Sequence, residues 1–164
     1  MDTGPIYTQE TLPIDPTWRS FELLQQLAHL GPKVVERAFE MIANQELPRE
    51  QVGVASIAAK INKAEAQIDF GQDSTTISNS IRAFTYEPGA WTLWKGENFK
   101  ICSSVISSEN LGSPGEVVVV DKKVFVATGL GSLEILRVIP AGKKEMDAID
   151  WAHGARLMGG EVFG

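Results

Sequence analysis

Hydrophobic positions along this chain change their period twice. Between Thr17 and Asn44 they recur at helical spacing, first as Phe21, Leu24, Leu27 and Ala28, then as Val35, Ala38, Phe39 and Ile42. Asp15-Pro16-Thr17 is a start signal, Gly31 a stop and Pro32 a second opening, so the pattern predicts two amphipathic helices. Their apolar faces must cover something. Residues 1–16, rich in Pro, Thr and Gly, read as extended chain with a β-prone stretch at 6–12. Residues 45–73, with Pro48, Gly53 and Gly71 among Gln, Asn and Ala, read as a linker holding a short helix at 63–67. A helical period returns at Ser74, with Ile77, Ile81 and Phe84 at i, i+4 and i+7 and Arg82 off that stripe.

From Ala90 the alternation becomes that of strands, predicted at 90–94, 98–106, 115–120, 123–128 and 132–139. Lys95-Gly96, Ser113-Pro114-Gly115, Asp121-Lys122 and Gly129-Leu130-Gly131 supply residues that reverse a chain cheaply. Five short strands with such punctuation suit a small barrel. The five-stranded oligonucleotide/oligosaccharide-binding (OB) barrel is one candidate, and the pattern alone leaves other small barrels open.

Composition narrows the function classes. At 164 residues, 43% hydrophobic and with a mean hydropathy of −0.05, the chain reads as a soluble globular protein. Its longest apolar runs, such as Val117–Val120, are too short to span a bilayer. No basic-apolar leader opens it, so a cytoplasmic location is expected. The single cysteine, Cys102, permits no internal disulfide or multi-cysteine zinc site; it is expected in the core, and no metal is expected. The net charge of −6 excludes a wholly basic nucleic-acid binder, but residues 79–144 carry eight Lys+Arg against six Asp+Glu between acidic flanks. That mild excess fits a weak electrostatic contribution to RNA binding.

Two separated signatures carry a family resemblance. Ile81-Arg82-Ala83-Phe84 runs into Pro88-Gly89-Ala90-Trp91, and Pro140-Ala141-Gly142-Lys143-Lys144 leads into Asp150-Trp151. Both resemble the C-terminal domain of the bacterial methionyl-tRNA formyltransferase family. Ala59-Lys60-Ile61 and Glu65-Ala66-Gln67-Ile68-Asp69-Phe70 are similar to that family's linker, and Asp2-Thr3-Gly4-Pro5 to its late catalytic-domain motif. The resemblance implies a five-stranded OB-like barrel preceded by two helices remaining from an α/β Rossmann-like catalytic domain. It divides the chain into a catalytic-domain remnant at 1–44, a linker at 45–73 and a tRNA-binding domain with tail at 74–164.

The activity implied is transfer of a formyl group from 10-formyltetrahydrofolate, the co-substrate, to the amino group of initiator Met-tRNA. Such chemistry needs an oxyanion stabiliser, a proton acceptor and an orienting carboxylate. The family uses asparagine, histidine and aspartate, of which Asp2 matches the aspartate; the other two and the folate-pocket segment have no counterpart in these residues. The chain is therefore expected to bind no cofactor, to be inactive alone and to assist tRNA binding. A monomer is expected, with exposed helical faces that invite self-association. Rival readings are a sugar-nucleotide formyltransferase or folate-processing relative, a free-standing RNA-binding module, and an inactive truncated product.

Lys143 and Lys144 are the best phosphate-binding candidates, because Gly142 lets the backbone turn and two long cations follow. A solvated loop is the bland alternative. Arg82, Lys95, Lys100 and Arg137 are further tRNA-binding candidates, with Lys122 and Lys123, although strand alternation scatters some onto different faces. Trp18, Trp91, Trp94 and Trp151 could stack on bases, but core packing is the stronger reading, with Trp94 the most exposed of the four. Gly129-Leu130-Gly131 lacks a following helix and reads as a turn. Asp69 reads as a capping or solvated carboxylate, and His29 and His153 as surface or partly packed histidines.

Overall fold

The computed structural model describes residues 3–164, which fall into two compact units that divide between Lys60 and Ile61. In the first unit, one helix, α1 (Ser20–Ala43), replaces the two expected, with Pro32 inside it. The physical reason lies in the pattern itself. Leu24, Ala28, Gly31, Val35, Ala38 and Ile42 step by three or four throughout, so the stripe continues in register across Gly31-Pro32. Proline removes one hydrogen-bond donor there, and the remaining turns carry the helix through. The start signal also lies one turn early. Asp15 accepts from the Thr17 N–H at 2.7 Å, closing a turn ahead of α1, and the helix is entered at Arg19, whose N–H bonds the Glu22 carboxylate at 3.1 Å. The stretch at 6–12 forms a single bridge, Ile6 to Arg49, and no strand.

The second unit opens with a turn rather than the short helix at 63–67, because only two i→i+3 bonds form, Ala66 N–H to Lys63 O and Gln67 N–H to Ala64 O. Ala66, Ile68 and Phe70 are buried. Helix α2 (Ser74–Phe84) is capped by Asp73, whose carboxylate accepts from the Thr76 N–H at 2.9 Å. Its buried Ile77 and Ile81 face the sheet.

That sheet has six antiparallel strands: β1 (Trp91–Trp94), β2 (Glu97–Ser107), β3 (Val117–Val120), β4 (Lys123–Ala127), β5 (Ser132–Pro140) and β6 (Met146–Asp147). The pairing order is β1-β2-β5-β4-β3, with β6 on β5. β6 and the closing helix α3 (Ala148–Ala155) were not expected. The pairing path is open, since no strand ladder joins β1 to β3 among the described residues. Instead the final residues reach both edges. Val117 N–H bonds Glu161 O, Phe163 N–H bonds Gly115 O and Gly164 N–H bonds Leu93 O.

The core lies between the inner sheet face, α2 and α3, where Phe99, Ile101, Val117, Val126, Leu133 and Val138 are almost wholly buried. An aromatic cluster closes it. Trp94 meets Trp151 edge-on at 5.0 Å and Phe163 at 5.4 Å, while Phe99 lies 4.6 Å from Trp151. Trp94 is thus a packing residue and not the exposed tryptophan expected, because it shares the inner face with Thr92 and Phe99. Cys102 is buried.

Candidate nucleic-acid interface

The strand register decides where the candidate cations go. β5 ends at Pro140 opposite Phe99, near the start of β2, and its middle residue Ile135 lies opposite Val124, near the start of β4. Of three reverse turns, Lys95-Gly96 between β1 and β2, Asp121-Lys122 between β3 and β4, and residues 141–145 between β5 and β6, the first and third share one end of the sheet, while the second lies alongside the middle of β5. The first two have both central residues at positive φ, 52° and 78° for Lys95 and Gly96 and 49° and 62° for Asp121 and Lys122. This is the turn geometry whose twist matches that of paired strands. It leaves Lys95 and Lys122 at hairpin tips, both exposed.

The third turn is held by the Lys143 N–H donating to Pro140 O at 3.0 Å, with Gly142 at φ 68°. Lys143 and Lys144 are exposed. Lys95 Nζ stands 5.4 Å from the centre of the Trp94 ring, a cation–π contact that orients the ammonium. Lys100 sits on the outer face, because its neighbours Phe99 and Ile101 are buried on the inner one. Its stem runs beside Gly89, where an added Cβ would lie 2.8 Å from Lys100 Cδ.

The structure thus brings Lys95, Lys143 and Lys144 to one end of the sheet, with Lys100 on the outer face of β2 and Lys122 farther along, beside the middle of β5. Lys123 is paired with Glu134 at 2.9 Å. Arg137 is held by two carboxylates, Nε to Glu145 at 2.9 Å and Nη1 to Asp147 at 2.6 Å, and these bonds raise its already high pKa. Arg82 stands on the last turn of α2 and donates to Asn79 Oδ1 at 2.8 Å. Asp2 lies outside the described residues.

Of the remaining candidates, Trp91 donates its indole N–H to Lys63 O at 2.7 Å, and Lys63 Nζ lies 5.6 Å from its ring centre. Asp69 accepts from the Gln72 side chain and the Gly71 N–H, and these bonds hold its carboxyl below the usual range. Gly129-Leu130-Gly131 is a turn, with Thr128 N–H bonded to Gly131 O. His29 and His153 are exposed, and no group of metal-ligating side chains occurs among the described residues. No described helix is long and apolar enough to cross a membrane.

Sequence reasoning found the lysine-bearing turns but could not see that two of them share one end, since register alone sets that. The carboxylates on Arg137 were missed as well; the alternation Arg137, Glu145, Asp147 around a turn was the only available signal.

Residues 60–156 match the family described as formyl transferase, C-terminal domain. The chain is 35% identical over 166 residues to methionyl-tRNA formyltransferase of Renibacterium salmoninarum, covering 100% of this chain and 54% of that protein. It is 41% identical over 160 residues to the methionyl-tRNA formyltransferase of Corynebacterium jeikeium, covering 94% and 49%. It therefore spans about half the length of the curated relatives it matches. Among solved structures, HypX from Aquifex aeolicus in complex with tetrahydrofolic acid superposes with a TM-score of 0.69 at 20% identity, over 92% of this chain and 28% of that one. That likeness shows the fold.

Proposed function

We propose that this chain, which belongs to the formyl transferase C-terminal domain family, is the RNA-holding part of a methionyl-tRNA formyltransferase. The intact protein would transfer a formyl group from 10-formyltetrahydrofolate to the amino group of initiator Met-tRNA in translation initiation. On this reading the donor site belongs to the other half of the protein, with Asp2 the one catalytic residue on this chain, and the present residues bind no cofactor of their own.

The sheet is read as an OB-like barrel, supported by the final residues reaching both edges. Residues 1–44 are read as the end of the catalytic domain, and their helix supports this. Phe39 is 67% exposed and Leu24 64%, while Leu23, Leu30, Val34 and Met41 on other sides are half-buried. A helix apolar on several faces belongs inside a larger structure. Residues 45–73 then connect the two parts, and a cytoplasmic monomer follows from the same reading.

One observation carries the RNA-holding role, namely the placement of Lys95, Lys143 and Lys144 at one end of the sheet in a protein of net charge −6. Long ammonium side chains on short turns suit phosphate oxygens, and they position RNA without reading its sequence. Lys100 and Arg82 flank that end on this reading.

A salt titration of tRNA binding tests the assignment. If about three phosphates are neutralised, log affinity falls against log salt with a slope of roughly −2 to −3. Changing Lys143 and Lys144 together to alanine makes the slope shallower and weakens cognate and non-cognate tRNA alike. Equal affinities and slopes for the two proteins would remove these lysines from the interface. Strong salt-independent binding would point to aromatic stacking instead.

A further inference from the structure

The turn that presents Lys143 and Lys144 is followed at once by two acids, Glu145 and Asp147. Left free, they would oppose the lysines, from which they stand only one to four residues along the chain. Neither acid is free. The guanidinium of Arg137 reaches across from β5 and takes one carboxylate on Nε and the other on Nη1. The backbone sets this up, because Arg137 and Asp147 are paired residues of the β5–β6 ladder. Asp147 is also the residue preceding α3, where an aspartate ordinarily caps the first-turn N–H groups. It makes no such side-chain bond here. Its carboxylate serves Arg137 instead.

We propose that Arg137 is a positioning residue for RNA binding: it pins Glu145 and Asp147 and offsets one of their two charges, so that the turn offers Lys143 and Lys144 to phosphates with a net positive charge. This rests on the reading that RNA phosphates dock at this end of the sheet. Arg137 itself makes no phosphate contact in this scheme. With the clamp intact, the five charges from Arg137 to Asp147 leave a net +1. Removing the guanidinium alone brings that to zero, and removing all three clamp charges brings it to +2.

The test compares initiator tRNA binding by the full chain and three variants across a salt series, with thermal melts to follow folding. Arg137→Gln should weaken binding at low salt by about threefold to tenfold. The triple variant Arg137→Gln, Glu145→Gln, Asp147→Asn should regain wild-type affinity or better, with the wild-type salt slope. Arg137→Lys, which keeps a cation between the two carboxylates, should retain most of the affinity. A triple variant as weak as Arg137→Gln, with a slope shallower by about one, would overturn the proposal and make Arg137 a direct phosphate ligand. So would an Arg137→Lys protein that melts normally and binds no better than Arg137→Gln. If the wild-type chain bound no tRNA at any salt, the RNA-holding reading would fall and this inference with it.

Discussion

At Gly129 the chain has no room for even one carbon. A Cβ there would stand 2.0 Å from Gly71 O and 3.1 Å from Gln72 O, both backbone atoms that cannot swing aside. The close approach exists because the Gly129 N–H donates to Phe70 O and Gln72 O, tying the segment before α2 to the turn after β4. Gly129→Ala should therefore cost about 2–4 kcal/mol, the range for forced backbone movement and lost buried hydrogen bonds. Urea unfolding measures it, and a loss under about 0.5 kcal/mol, the size of an ordinary surface change, would show that the two segments are not locked together. At the start of α1 a second residue makes a pH-dependent contribution. Hydrogen bonds from the Arg19 side chain hold the Glu22 carboxyl at about 2, against an ordinary 4.5. A depressed folded-state pKa means that the stabilisation is complete above the ordinary range and fades as pH falls from about 4.5 toward 2. Amide protection at Ser20 to Leu24, taken relative to the intrinsic exchange rate at each pH, should fall over that window in the wild type, and Glu22→Gln should remove the dependence. The same pH profile in both proteins would assign the fraying to some other group.

Among the elements, those with complete local signals were legible. Strands β1 to β5 alternate inner and outer residues between turns of definite chemistry, and α2 has both a cap and a stripe, so their limits fell within about three residues of expectation. α1 was split because Gly31-Pro32 reads as a strong local break, although the stripe passes through it. β6 and α3 were invisible for the opposite reason. Two residues of strand carry no period, and α3 is defined by what Trp151 packs against. The final residues have only their contacts to declare them. Phe163 is buried at 4% and lies within 6 Å of Phe70, Trp94, Phe99 and Trp151, centre to centre. Phe163→Ala should therefore destabilise the second unit by about 3–5 kcal/mol, as for a large core aromatic. Thermal or urea unfolding reads this, and a change below about 1 kcal/mol would make the closing segment an ornament.

For the whole molecule, the point of division is the testable quantity. Residues 45–73 were expected as a linker; within that stretch the second compact unit starts at Ile61, and Ala66, Ile68 and Phe70 are buried. Limited proteolysis should cut first within residues 50–60, where Val52, Val54 and Ile57 are almost fully exposed. It should leave a folded product beginning near Ile61. A first cut within 64–72 would contradict that boundary. The interface was legible only in part. Lysine-bearing turns could be read from dipeptides, whereas their convergence depends on register between strands far apart in sequence, which no local window contains. The segment that reaches both sheet edges has one more consequence. β3 is four consecutive valines, and beyond Val117 its outer edge carries Val119 and Val120 exposed. An uncharged, β-branched edge is a ready template for strands from other molecules. Residues 161–164 cover that template at its root through Val117 N–H to Glu161 O, so the closing segment also guards the edge, and its fraying would lengthen the strand surface open to foreign pairing.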